Sequence, residues 1–383
     1  MPRHLLVLLI LFGNCLPGQS HPGLPPCPEG PLYWVLPMAL EDFVAFRPLG
    51  FLSIPIHFFP AKHSSFILAT PGEPAPQKPV LFPGDAWVVE ILSTAFPNGG
   101  SGYQVQFQPC NQVRSYFYHL KDIAAPLKAA FDSAEQRCYD YSDPTGTIVK
   151  CQARVWVEVS AGEPAGMTGD GTSGVDFGLV DFRLEPKGFV DLNHYPFDYP
   201  YYASPLDYFP PEVKAQLEGK LASWDGRIPR TAEPRAGSHR LDTAGTAQGG
   251  WFFPGTDMRS NPENMTPHLA LVQDYIDPEQ PVFVIGTKVS GVRMGLYSFE
   301  ASENGLLNRR FRDVTPDGNI YCYEGMRGGR TAGQLPLASL AGVLMISMPD
   351  ETTLQLEKQG EEASTCEALR PWQFRENATR FQR

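Results

Sequence analysis

No apolar run in this sequence reaches the ~18 residues that a membrane-spanning helix needs. The longest run beyond the first twenty residues covers 337–348, a length that suits a buried strand. Basic clusters are missing too. Lys and Arg total 31 against 42 Asp and Glu, a net charge of -11. That balance argues against a nucleic-acid partner, because phosphate binding needs a basic face, and it favours solubility instead. No C-x-x-C pair exists, so zinc-ribbon and thioredoxin-type chemistry lack their ligands. A Walker loop, a G-x-S-x-G elbow and an H-E-x-x-H helix are all absent, which removes the common nucleotide, serine-hydrolase and zincin signatures. Long helical patterns are scarce.

What remains is a β-type composition. The 383 residues suffice for two ordinary domains. A hydrophobic fraction of 42% is that of a foldable chain. The 36 glycines and 38 prolines make up about a fifth of it, below the ~25–30% that marks low complexity. High Pro, Gly and aromatic content with short alternating segments points to an all-β, mainly antiparallel fold. Residues 1–20 read as a secretory signal: Arg3 and His4, eight apolar residues over 5–12, then a small-x-small site at Gly18-Gln19-Ser20. Cys15 offers a lipid-attachment alternative, but Phe12-Gly13-Asn14 makes a poor lipobox. The expected product is exported, periplasmic or extracellular, and not integral to a membrane. Six cysteines then remain: Cys27, Cys110, Cys138, Cys151, Cys322 and Cys366. An even count fits disulfides in an oxidising compartment. Fifteen pairings are possible, and Cys138–Cys151 and Cys322–Cys366 are preferred because each closes a local loop. Asn264 and Asn377 open glycosylation sequons.

Five segments organise the chain: the signal (1–20), a Pro-rich stretch (21–50), a β domain (51–190), an aromatic linker with a helix (191–240) and a second β domain (241–383). Alternation marks strands over 86–92, 102–109, 113–123 and 151–162. The helix is expected over 209–226, with Pro211 in its first turn, Val213, Leu217, Leu221 and Trp224 on one face, and Gly226 as its stop. Seven further short strands follow residue 242. The aromatic stretch over 193–209 either packs between the domains or, if exposed, stacks on sugars or peptides.

The residues 165–182, "AGMTGDGTSGVDFGLVDF", set a glycine-rich loop before a strand. Asp176-Phe177-Gly178 there copies a kinase tripeptide, but the strand lysine, the H-R-D loop and the phosphate-covering loop that would give it meaning are missing. Gly166, Gly169 and Gly171 do not form a dinucleotide fingerprint, since no helix follows. The remaining candidates for chemistry are the histidines His57, His63, His119, His194, His239 and His268.

Three segments together resemble the lysostaphin/LytM-type zinc metallopeptidases, which have the duplicated-hybrid-motif fold. They are "FLSIPIHFFPAKHSSFILATPGEP…PVLFPGDAWVVEI" (51–91), "SYFYHLKDI" (115–123) and "VSAGEPAGMTGDGTSGVDFGLVDFR" (159–183). The likeness covers about residues 50–183. It implies a duplicated-hybrid-motif-like β domain there, and a zinc site built from a His, an Asp four residues later and the second His of a His-x-His. Zinc in such a site needs three protein ligands and one open position. By that resemblance His63 stands for the first ligand and His119 for a catalytic histidine. The Asp position is Ile67, and His-x-His reads Asp176-Phe177-Gly178. The resemblance therefore implies a degenerate site with no cofactor, whose groove binds a peptide, a cell-wall fragment or a partner without cutting it. The alternative is an active zinc endopeptidase with a rearranged set of His63, His119 and Asp176.

After residue 242 the chain resembles a lipocalin-like barrel through Gly249-x-Trp251. That likeness implies an antiparallel β-barrel joined to the first domain by the helix. Trp251 would lie under its floor, covered by a late arginine such as Arg375 or Arg380. Such a barrel holds a small apolar ligand or is filled by its own side chains.

Overall fold

A computed structural model describes residues 23–70, 72–97, 99–143, 146–169, 174–259, 265–329 and 338–383; the side chains of 141–143 are not included. The leader, Cys15, Gly171 and the Asn264 sequon lie outside the described residues. The fold is all-β and antiparallel, with two α-helices among the described residues.

The N-terminal half is built on a nine-stranded sheet. Its order is Ala45–Arg47, Ser64–Ile67, Gly174–Asp181, Val113–Leu120, Ser101–Cys110, Ala86–Ala95, Gly146–Val159 and Gln136–Asp143. Tyr202–Ala203 adds a short strand beside Gly174–Asp181. All of these pairings are antiparallel. A smaller sheet joins Pro79–Leu81, Pro164–Met167 and Asp122–Ile123. Phe66, Phe82, Phe107, Phe117 and Phe177 meet in one core around the fully buried Tyr33. Every residue of Gly174–Asp181 is buried, because neighbours pair on both of its edges and aromatic side chains cover it.

The four strands expected in this half are present. The helix is shorter than the alternation predicts. It spans Pro211–Glu218 and stops at Gly219, because residues 220–222 pair with the edge strand Ala45–Arg47 instead. The Phe46 amide donates to the Lys220 carbonyl at 2.8 Å, and Leu221 bridges Phe46. A second helix, Ala125–Ser133, buries Leu127 and Phe131 one turn apart.

The C-terminal half holds all seven expected strands, but they do not close into a barrel. One sheet runs Gly249–Trp251, Leu269–Gln273, Pro281–Ile285, Gly295–Ser298 and Arg327–Gly328. The other runs Tyr321–Tyr323, Val343–Asp350, Thr353–Gln359 and Thr379–Gln382. One seam is a single bridge between Phe252 and Gln382; among the described residues the opposite edge strands are not paired. Between the sheets Phe283, Phe299, Phe311 and Tyr323 pack ring on ring, so the interior is filled by side chains. Trp251 is fully buried, and its indole N–H donates to the Ala247 carbonyl at 2.8 Å. The arginine over it is Arg383, not Arg375 or Arg380. Its guanidinium carbon lies 4.2 Å from the Trp251 ring while its nitrogens donate to the Gln248 and Thr246 carbonyls.

Disulfides join Cys138 to Cys151 and Cys322 to Cys366, as preferred, and Cys27 to Cys110. They fit an oxidising compartment. No described helix is long and apolar enough to cross a membrane. The aromatic stretch over 193–209 packs inward: Tyr195 and Tyr199 meet Phe59 and Phe252 in a cluster shared by both halves, and Phe197 is its most exposed ring.

Candidate functional site

Three adjacent strands assemble the site. Asp176 lies in the central strand Gly174–Asp181, opposite Ser65 on one neighbour and Tyr118 on the other. His63 immediately precedes the strand Ser64–Ile67, and His119 follows Tyr118 in Val113–Leu120. Strict alternation would send His119 to the face opposite Tyr118. The register there is irregular: Tyr103 pairs with Leu120, but Val105 pairs with Phe117. His119 has a φ of 69°, a left-handed conformation that histidine tolerates better than most residues but that costs on the order of 1 kcal/mol. A local bulge of this kind re-aims a side chain. Here it lets His119 reach Asp176, and the ring stacks on Tyr118 with centroids 4.1 Å apart.

The three residues singled out in sequence therefore meet. His63 Nδ1 is 3.4 Å from Asp176 Oδ1, and His119 Nε2 is 3.3 Å from Asp176 Oδ2. Sequence reasoning named His57 among the candidate histidines but did not join it to this set, of which it is a fourth member: its Nε2 lies 3.3 Å from His63 Nε2. The only available signal was its place six residues upstream in the same apolar segment. His194, His239 and His268 lie elsewhere; His239 and His268 are buried among aromatic rings.

Hydrogen bonding dictates protonation. His63 Nδ1 faces two acceptors, the Asp176 carboxylate and the Ser64 carbonyl at 3.2 Å, so it carries the proton. Its Nε2 is then an acceptor for the His57 Nε2–H. Burial pushes His63 below the usual imidazole range, outweighing the pull of Asp176, and burial pushes His57 well below it. Burial alone would raise the Asp176 carboxyl, but His63, His119 and Arg47 hold it below the ordinary carboxylate range. The result is a chain in which His57 donates to His63, and both His63 and His119 bear on one anionic carboxylate.

This geometry does not fit the zinc site that the resemblance implies. Ile67 has no donor atom and is fully buried beside Ala45 and Ala222. A ligand side chain at Gly178 would require the Tyr116 ring to move: a Cβ there would lie 2.1 Å from Tyr116 Cζ, since that ring covers Gly178 from the paired strand. His63 and His119 approach different oxygens of Asp176, so the carboxylate lies between them. No three His, Cys, Asp or Glu side chains converge on one ion position among the described residues.

Two predictions follow from these contacts. Gly178→Ala should lower stability by roughly 1–3 kcal/mol through overpacking, and adding Tyr116→Val should recover much of the loss, read as paired urea-unfolding midpoints. Equal losses with and without Tyr116→Val would refute the contact. The second concerns pH. Burial depresses His239 to about 3 and His268 to about 4, the same direction as His57 and His63. The unfolded histidines titrate near 6.5. Below that pH the unfolded chain binds protons that the folded chain does not, so stability falls as pH drops. Asp176, also depressed, adds to the fall at lower pH, whereas Asp242 and Asp274, raised by burial, oppose it near the carboxylate range. From pH 6.5 to 5 the histidines dominate. The free energy of unfolding should decline steadily there, by up to ~1.4 kcal/mol per pH unit for each buried histidine, and a flat profile would contradict the neutral cluster.

No family model matches this sequence, and no curated protein does so.

Proposed function

We propose that the chain is an exported binding protein with a peptidase-like sheet but no hydrolytic centre, whose His57–His63–Asp176–His119 face receives a peptide, a cell-wall fragment or a protein partner. The observation that carries this reading is the pairing of Tyr116 with Gly178. The tyrosine ring fills the space that a third metal ligand would need. His119 supports a binding role, since its side chain is 33% exposed at the end of a buried chain of polar groups. A hydrogen-bonded imidazole at such a position presents a donor or acceptor to a ligand without a metal. Export is supported by the three disulfides and by the signal-like start of the sequence.

A second reading has one specific support: His63 and His119 each lie within 3.4 Å of an Asp176 carboxylate oxygen, and all three are acceptable zinc ligands. Metal analysis separates the two. The purified chain, supplied with zinc and then dialysed, should retain well below one equivalent. Its unfolding midpoint should not move with a chelator, and it should not cleave peptidoglycan fragments or oligoglycine. Binding of soluble peptidoglycan fragments or mixed peptides should persist in chelator and weaken in His119→Ala. One zinc per chain, lost in His63→Ala, would overturn the proposal in favour of the enzyme.

A further inference from the structure

A well-formed cleft lies away from the His–Asp cluster. It has a volume of about 520 Å³, within the usual ~300–1,000 Å³ of small-molecule sites. Both halves of the chain form it. Arg47, Ser53 and Trp224 come from the N-terminal side, while Asp274, Tyr275 and Asp277 come from the turn between the strands Leu269–Gln273 and Pro281–Ile285. None of His57, His63, His119 and Asp176 lines it.

Arg47 is the unexplained group. It is only 7% exposed, yet among the described residues it has no ion-pair or hydrogen-bond partner, and its Nε is a buried donor left unsatisfied. The indole Nε1 of Trp224, also lining the cleft, is a second unsatisfied buried donor. Leaving such groups unpaired costs free energy, and native structures seldom tolerate it without a reason. The guanidinium carbon stands 3.6 Å from the Phe51 ring centroid and 4.6 Å from that of Trp224. Stacking engages the faces of a guanidinium and leaves its N–H edge free, the edge that accepts a carboxylate in a bidentate fork. Two donors without acceptors in one cleft call for an anionic acceptor.

The rest of the cleft has the opposite sign. Asp225, Asp274 and Asp277 also line it. Asp274 Oδ1 is held by the Ile276 and Asp277 amides, and Asp225 Oδ1 by Ser223 and the Arg227 amide. Each carboxylate is thus fixed in place by its own loop. A simple anion would meet repulsion there, whereas a molecule carrying both charges satisfies both ends.

We propose that this cleft binds a carboxylate that carries an ammonium group on the same molecule: a free amino acid of the lysine type, or the C-terminal lysine of a peptide. The carboxylate seats on Arg47 and Trp224 Nε1, and the ammonium group faces the three aspartates. None of the His–Asp residues lines the cleft, although Arg47 stays within electrostatic reach of Asp176 and rests on the same Phe51 as His57 and His63, and the assignment does not depend on how that face is read.

Calorimetric titration of the full chain tests it with four probes: L-lysine, L-lysinamide, 1,5-diaminopentane and Nα-acetyl-Gly-Gly-Lys. L-lysine or the acetylated peptide should bind, and which of the two binds more tightly identifies the source of the carboxylate. L-lysinamide and the diamine should bind at least about ten-fold more weakly, the scale of one charged hydrogen bond. Arg47→Gln should remove the preference for the carboxylate, and Trp224→Phe, which keeps an aromatic face but loses the N–H, should reduce it by a few-fold. Should Arg47→Gln not fold, Asp277→Asn at the exposed rim still reads the ammonium end, because it should weaken L-lysine. Equal binding of L-lysine and L-lysinamide, no binding of either carboxylate probe up to ~10 mM, or unchanged affinity in a folded Arg47→Gln would overturn the assignment.

Discussion

A carboxylate in the middle of a fully buried strand has to be paired, since an isolated ion there costs several kcal/mol. Asp176 is in that position, and its partners are arranged accordingly. His63 arrives from one neighbouring strand. His119 arrives from the other, through a bulge and a left-handed backbone that a regular ladder would not contain. Behind His63, His57 accommodates the remaining imidazole nitrogen, and Phe51 packs edge-on against both rings. The same Phe51 supports Arg47 at the neighbouring cleft. One buried charge thus fixes the local conformation of three strands and of the segment that leads into the second half of the molecule.

That segment is where the two halves meet. Leu52, Ile54, Phe58 and Phe59 leave the first sheet and pack with Phe252, Ala270, Val272 and Val284 of the second half. Tyr195 and Tyr199 from the aromatic connection close over them. Burial of several aromatic rings, each contributing about 2–3 kcal/mol, makes this a packed interface with a cleft on its rim. The C-terminal half has its own anchor in Trp251, held from below by the Ala247 carbonyl and covered by Arg383. Arg383 thereby stitches the last strand to the first strand of that half.

Strands were the most legible elements in the sequence. The alternation over 86–92, 102–109 and 151–162 reflects half-buried sheet positions, and the seven C-terminal segments are bounded by turn residues. Local disulfides were legible for a similar reason, since Cys138 and Cys151 face each other directly across a hairpin. Closure of the second half was not legible, because it depends on whether two edge strands distant in sequence pair. The helix ended early for a tertiary reason, the hydrogen bonds between residues 220–222 and the edge strand. At the site, His63, His119 and Asp176 were visible as residue types in a resembling order. The bulge at His119, the Tyr116 ring over Gly178, the second imidazole of His57 and the unpaired Arg47 all arise from cross-strand or cross-half neighbours, and no local pattern encodes such contacts.

The charge state of His63, between Asp176 and His57, decides the character of the whole face. Nitrogen-15 NMR of the imidazoles in the folded chain at pH 7 reads it directly. The predicted result is a neutral His63 with its proton on Nδ1, unchanged by zinc. A protonated His63, a proton on Nε2, or a shift of the ring nitrogens with one equivalent of zinc would contradict it.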